Sequence, residues 1–330
     1  MHTVRRILVA VKDPSARSLP AVAKSAQLAH ALGAQLVLFH GIGQRVAADA
    51  FLYADGGLRK FEQDTRARQL KDLERIATPL RKEGLTVQVC ADWDFPAHES
   101  IVREASRSKC DLIVAECHAG RRLAPWLMHL TDWELIRTSP VPVLLVKNAS
   151  PWRRPVVLAA LDPSHAFAKP ARLDAEILQA GKVFTTALRG SLHAMHAYVA
   201  VPTATLPGVG TSAELVEELA AASLSNATKA FAHSLRSLKT LRRARRHLVE
   251  GLPLDAIPQV AQKLGSAIVV MGAISRSGLK RVLIGNTAEQ VINSLGCDIL
   301  VVKPARFVTH VARSSRGVRY VSTAHLPMPY

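Results

Sequence analysis

No stretch of this 330-residue chain reaches the roughly 18 consecutive apolar residues that a membrane-spanning helix needs. The opening "MHTVRRILVAVKDPS" has an apolar run too short and too soon charged for a secretory signal, so a cytoplasmic protein is expected. Cysteine is scarce: Cys90, Cys110, Cys117 and Cys297 form neither a CxxC pair nor a disulfide framework, which fits a reducing compartment. Cys117 and His118 beside Cys110 lack a metal spacing, so no metal is expected. Also missing are a Walker lysine followed by Ser/Thr and the GxGxxG of a dinucleotide loop.

Acidic residues are few as well. Lys and Arg number 43 against 26 Asp and Glu, a net charge of +17. The excess is spread as +5 over residues 1 to 148, +8 over 149 to 303 and +4 over 304 to 330, so no segment is a dedicated basic arm. The densest run, "LRRARRH" at Leu241 to His247, can attract nucleic acid or an anionic membrane surface. No aromatic residues are interleaved with it to stack bases, which favours a solvated helix end leading into a strand.

What is present is a repeat. "CDLIVAECHAGRRLAPWLMHLTDWELIRTSPVPVLLVK", Cys110 to Lys147, superposes without a gap on "SAIVVMGAISRSGLKRVLIGNTAEQVINSLGCDILVVK", Ser266 to Lys303, at an offset of 156 residues. "RRILVAVKDPS" at Arg5 to Ser15 echoes "RPVVLAALDPS" at Arg154 to Ser164, and the next runs set His40 opposite His196. Two copies of one unit are therefore expected, over residues 1 to 148 and 154 to 303, followed by a basic tail over 304 to 330.

Short β-rich runs alternate with longer helical patterns in each copy, the signature of βαβ units and a parallel sheet. In the first copy, strands are expected near residues 6 to 12, 34 to 41, 85 to 91, 111 to 116 and 141 to 147. Runs such as "ILVAV" and "VLLV" are apolar on both faces, as strands covered by helices on either side must be. Helices fill the gaps at Leu19 to Leu32, Leu58 to Glu83, Glu99 to Ser108 and Leu130 to Thr138. The second copy has a long amphipathic helix from about Ser212, its N-cap, to Leu241. Right-handed crossovers give a doubly wound sheet, with ligands beyond the carboxyl ends of the strands where strand order reverses.

The repeated unit resembles the universal stress protein family. Its tandem arrangement, with "GLPLDAIP" at Gly251 to Pro258 and "GNTAEQVI" at Gly285 to Ile292, resembles the E type of that family, over about residues 4 to 303. The resemblance implies an α/β fold of two tandem doubly wound five-stranded parallel sheets, order 3-2-1-4-5. It also implies an internal pseudo-dimer docked through "VPVLLVK" and "CDILVVK", either as a monomer or paired into a homodimer, and a role in stress resistance.

Nucleotide-binding members of the family carry Gly-x-x-Gly, nine residues, then Gly and Ser or Thr, with an Asp after the first strand that reaches adenosine. Glycines let backbone N–H groups approach phosphate, and the following helix N-terminus adds a favourable dipole. In the second copy the resemblance puts Gly272 at the first glycine, with Met271 before it as a further candidate site residue, Ser275 at the second and Gly285 at the last. Asn286 then stands in place of Ser/Thr, Thr287 follows one residue later, and Asp162 matches the adenosine-side aspartate. Ser275 restricts φ > 0 and fills space where a glycine admits phosphate, while Arg276, Lys280 and Arg281 favour an anion. Two readings stand: an altered site for ATP or another small ligand, or a turn in which Gly285, Asn286 and Thr287 only start and cap the last helix.

In the first copy the corresponding residues are Glu116, Ala119 and His129, with Thr131 retained. A carboxylate in place of a phosphate-facing glycine repels a nucleotide, so none is expected there, although Asp13 survives. Trp126 and Trp133 are expected to pack as a hydrophobic plug. His40 and His196 can line a cleft or serve as hydrogen-bonded structural histidines. Ser164, His165 and Asp162 adjoin in sequence, which does not make a triad. No spacing argues for catalysis; the enzyme alternative is a slow ATP hydrolase using Asp162 and the 272 to 287 loop. A nucleotide-independent scaffold, or a protein that binds nucleic acid or anionic lipid, are the other readings. The Pro/Gly-rich "AVPTATLPGVGTS", Ala200 to Ser212, and the first-copy "GIGQRVAADAFLYADGG" are candidate covers for a ligand. The tail is expected to wander or to cover a surface locally.

Overall fold

The computed structural model describes residues 3–47, 57–117, 125–163, 173–200, 213–238, 245–272, 286–304 and 307–321, without the side chains of 125–130, 213 and 286. The chain divides into two compact units. Val4–Pro151, with the segment that starts at Val308, forms the first unit; Trp152–Phe307 belongs to the second.

The first unit contains β1 (Arg6–Ala10), α1 (Pro20–Leu32), β2 (Gln35–Ile42), β3 (Arg45–Ala47), α2 (Gly57–Lys82), β4 (Val87–Trp93), α3 (Ala97–Arg107), β5 (Leu112–Glu116), α4 (Pro125–Thr138) and β6 (Val143–Val146). Parallel pairing runs β4-β2-β1-β5-β6, the doubly wound order 3-2-1-4-5 when β3 is set aside. Ile7, Leu8, Val9, Ile113, Leu144 and Leu145 are buried, because a central parallel strand is covered on both faces and must be apolar on both. Each helix buries one stripe against the sheet. On the 26-residue α2 the stripe is Thr65, Leu73, Ala77 and Leu80, close to the helical repeat. Helix α1 opens on Pro20, where the missing N–H costs nothing, and closes on Gly33 at φ 66, whose N–H bonds to Ala29.

The second unit repeats the pattern with β7 (Val156–Leu161), α5 (Leu173–Ala187), β8 (Ser191–Tyr198), α6 (Ala213–Ser234), β9 (Arg246–Glu250), α7 (Pro253–Lys263), β10 (Ile268–Gly272), α8 (Asn286–Ser294) and β11 (Asp298–Val302). Its parallel pairing runs β9-β8-β7-β10-β11. The long helix expected to reach Leu241 stops at Ser234 and tightens into a 3-10 turn over Leu235–Leu238. Its expected N-cap, Ser212, and the loop from 201 to 212 lie outside the described residues. Among the described residues no helix is long and apolar enough to cross a membrane.

Of the two expectations for the tail, local cover is the one that holds for residues 307–321. β12 (Arg319–Val321) pairs in parallel with β3, and Arg316 N–H bonds to Asp94 Oδ1 at 3.0 Å. No periodic pattern announces this because polar groups hold the segment: Ser315 Oγ donates to Trp93 O, and Arg316 pairs with Glu99 at 2.9 Å. Arg316 and Arg319 also lie over the Phe95 ring.

A pH dependence is built into the second unit. His193 on β8 and His247 on β9 stack at 5.2 Å between centroids, with Nδ1 and Nε2 2.9 Å apart. Burial holds both imidazoles below their ordinary value; each ring's neighbours add to this, His247 and Arg245 for His193 and Lys263 for His247. One proton can sit between the rings, but a second one repels it. The unfolded chain then binds more protons, so this contribution is whole above about pH 6.5 and is lost as pH falls from there. Burial depresses His40 and His98 too, so the pair is isolated by difference. The melting temperature of His193→Gln should fall less steeply than that of the parent between about pH 7 and 5. Identical slopes would show that the pair does not titrate with unfolding.

Candidate functional site

In a doubly wound sheet the ligand crevice opens where strand order reverses, beyond the carboxyl ends of the first and fourth strands. In the second unit those are β7 and β10, which are adjacent and parallel. Asp162 directly follows β7 and is exposed. Its N–H bonds to Asp174 Oδ1 at 3.2 Å, and Asp174 Oδ2 accepts from Ser234 Oγ, so the turn after the strand is tied to α5 and to the end of α6. Met271 and Gly272 end β10 beside Val301 and Val302, with Met271 buried.

Gly272 has a steric role of its own. A Cβ there would lie 2.5 Å from Leu173 Cδ2 and 3.1 Å from Leu173 Cγ, so the first residue of α5 packs into the space the missing side chain leaves. Asn286 begins α8 and Thr287 is exposed in its first turn. The structure thus brings Asp162 and Gly272 to neighbouring strand ends. Ser275, Arg276, Lys280, Arg281, Gly285 and the Asn286 side chain lie outside the described residues, as do Ser164 and His165.

The equivalent crevice in the first unit, beyond β1 and β5, is filled from within. Glu116 ends β5 and its Oε1 accepts the N–H of Ala21 at 3.1 Å. Leu19 supplies no side-chain cap to α1, so the carboxylate satisfies an otherwise orphaned donor and meets the positive end of the helix. Lys24, 1% exposed, reaches Asn148 Oδ1 at 3.0 Å from the same helix. Asp13 folds back on Ser15, accepting its N–H at 2.9 Å and its hydroxyl at 2.6 Å. The Ser15 hydroxyl is the main cause of a carboxyl pKa below the ordinary range. Ala119 and the side chains of Trp126 and His129 lie outside the described residues; Trp133 is half-buried.

The strand ladders correct the alignment of the two copies. Ile7 lies beside Leu112 and Val157 beside Ile268, whereas matching the two "DPS" motifs sets Leu8 opposite Val157. The histidines agree with the ladders. His40 Nδ1 bonds to Val11 O at 2.8 Å and His196 Nδ1 to Leu161 O at 3.3 Å, which makes Val11 the counterpart of Leu161. Asp162 follows at once, while Lys12 intervenes before Asp13. The shared motif therefore stands one residue further from its strand in the first unit. Both histidines are hydrogen-bonded structural residues at these contacts, and His196 is 1% exposed.

Other charged groups went unmarked in the sequence. Arg103, on the buried side of α3, pairs with Asp94 through Nε–Oδ2 at 2.6 Å and Nη2–Oδ1 at 2.9 Å. Cys90 Sγ, Asp92 and Glu104 place ligand-type atoms within 4.8 Å of one another, without any motif spacing to flag them. Burial first, then Glu104 and Asp92, push the Cys90 thiol up to about 12.

Two parallel α/β units, each with its crevice at the strand reversal, define a tandem doubly wound α/β fold. The chain belongs to the Universal stress protein family, whose model matches residues 3–147 and 173–303. It is similar to "Universal stress protein E" of Escherichia coli strain K12, 28% identical over 92% of this chain and 96% of the relative. Among solved structures it is similar to the functionally unknown protein PA1789 of Pseudomonas aeruginosa PAO1, with 25% identity, TM-score 0.67, and coverage of 92% and 94%. A putative universal stress protein from Pseudomonas aeruginosa UCBPP-PA14, 24% identical with TM-score 0.67 over 92% and 95% of the two chains, shares the fold.

Proposed function

We propose that this chain is a cytoplasmic stress-response protein that works by binding, and that its second unit alone takes a nucleotide such as ATP or another small anionic ligand. One contrast carries the reading: at the same strand end the first unit has a carboxylate seated on a helix N-terminus and the second has Gly272 beside exposed Asp162. A phosphate approaching the first crevice meets Glu116; at the equivalent strand end of the second it meets Gly272, which carries no charge. Asp162 would accept from the ribose hydroxyls. The backbone N–H groups that open α8, which have no partners within the helix, would face phosphate.

ATP should raise the melting temperature with the logarithm of its concentration above Kd, by the equivalent of about 2.7 kcal/mol at a hundredfold excess over Kd. Ser275→Gly should tighten binding by restoring the glycine that the family's nucleotide-binding motif carries at that position. No thermal shift in either protein would remove the nucleotide from this reading. A shift in the parent that Ser275→Gly leaves unchanged would remove the loop.

A further inference from the structure

The first unit holds an open cavity of about 520 Å³, at the edge strand β4 and away from the strand reversal. Four chain segments meet there. Arg66 comes from α2, Asp92 and Trp93 from β4, Arg107 from α3, and Arg313 with Val318 from the tail. Its volume lies in the range of small-molecule sites.

Among the residues that line it, three guanidiniums meet two carboxylates. Arg66 Nη2 lies 3.2 Å from Asp92 Oδ1 and Arg107 Nη1 lies 2.9 Å from Asp92 Oδ2, so one carboxylate sits between two guanidiniums. Glu62, at the rim, receives the Tyr320 hydroxyl. Arg313 adds a third guanidinium, with no side-chain partner among the described residues. Arg66 and Arg107 use only part of their five donors in these contacts. Trp93 offers an apolar wall fixed in place by its N–H bond to Glu62 O at 3.1 Å, and Val318 offers a second.

A metal fits the neighbouring Cys90, Asp92 and Glu104 group less well. Arg107 already holds the cation position there, with Nη1 on Asp92 and Nη2 3.2 Å from Glu104 Oε2, a charge contact without hydrogen-bond alignment. Guanidinium forks match oxyanions, two donors to two oxygens.

We propose that this cavity binds a small organic oxyanion, a phosphate ester or a di- or tricarboxylate. Its charged group lies among Arg66, Arg107 and Arg313, and its carbon skeleton lies against Trp93 and Val318. Because Arg313 belongs to the tail, the ligand ties the tail to α2 and α3. The site is separate from the crevice of the second unit.

The test is calorimetric titration of the full chain with pyrophosphate and with citrate, at constant ionic strength. At least one should bind saturably, and Arg313→Gln should weaken it about tenfold, equivalent to about 1.4 kcal/mol. Arg313 is exposed, so the variant should melt with the parent when no anion is present. Asp162→Ala should leave this binding intact, and the bound anion should slow tryptic cleavage after Arg313. Absence of saturable binding at millimolar probe overturns the proposal. So does binding that Arg313→Gln leaves unchanged, or that Asp162→Ala abolishes.

Discussion

Asp94→Ala is expected to cost the first unit about 3 kcal/mol, the lower end of what is lost when one partner of a buried ion pair is removed. Asp94 and Arg103 are 2% and 4% exposed, and the carboxylate meets the guanidinium with both oxygens. Truncation leaves a buried cation that is compensated only in part: Glu99 Oε2 at 3.0 Å and the carbonyls of Phe95 and Ala312 remain. Those contacts keep the loss from reaching the upper end. Asp94 also accepts the N–H groups of Phe95 at 2.8 Å and Arg316 at 3.0 Å, so the tail should loosen with it. Urea denaturation should show the loss, and trypsin should cut after Arg313 and Arg316 faster than in the parent. Replacing both partners, as Asp94→Leu with Arg103→Met, should recover much of the stability, since the desolvation penalty goes with the pair. A single-variant loss below about 1 kcal/mol, the range of an exposed ion pair, would show that the pair is solvated.

In the second unit the largest loss is expected from Trp152→Ala, about 4 kcal/mol by the measure of large-to-small aromatic changes in cores. Trp152 is 5% exposed and meets Phe184 edge-on at 6.4 Å between centroids, with Phe184 itself fully buried. Its indole N–H donates to Asp298 Oδ2 at 2.9 Å, and Asp298 is 0% exposed at the start of β11. Alanine therefore opens a cavity and takes a donor from a buried carboxylate. Trp152→Phe should fall between, keeping most of the apolar contact and losing the N–H. Equal losses for the two variants in urea would mean that the hydrogen bond, not the packing, dominates.

The strands that frame both crevices were legible because a central parallel strand must be apolar on both faces. "ILVAV" and "VLLV" could be little else, and the gapless repeat placed their counterparts. Strand order came from the family resemblance, since side-chain patterns do not encode which strand lies beside which. The match of the two "DPS" motifs misled by one residue at Asp13. A local motif can slide against its strand, whereas register is set by ladder bonds to β2 and β5, far along the chain. The tail was illegible for a related reason. Its contacts are polar bonds and charge pairs with residues more than 200 positions away, such as the Arg316 pair with Glu99 at a separation of 217, and they leave no periodicity. Gly272 shows the limit at a single residue: a glycine that admits a ligand and one that admits Leu173 look the same in sequence.

Titrating ATP into the intact chain, into Asp13→Ala and into Asp162→Ala puts the asymmetry of the two crevices to a direct test. One site per chain is expected, retained in Asp13→Ala and lost in Asp162→Ala. Two sites per chain, or one that depends on Asp13 and not on Asp162, would contradict it.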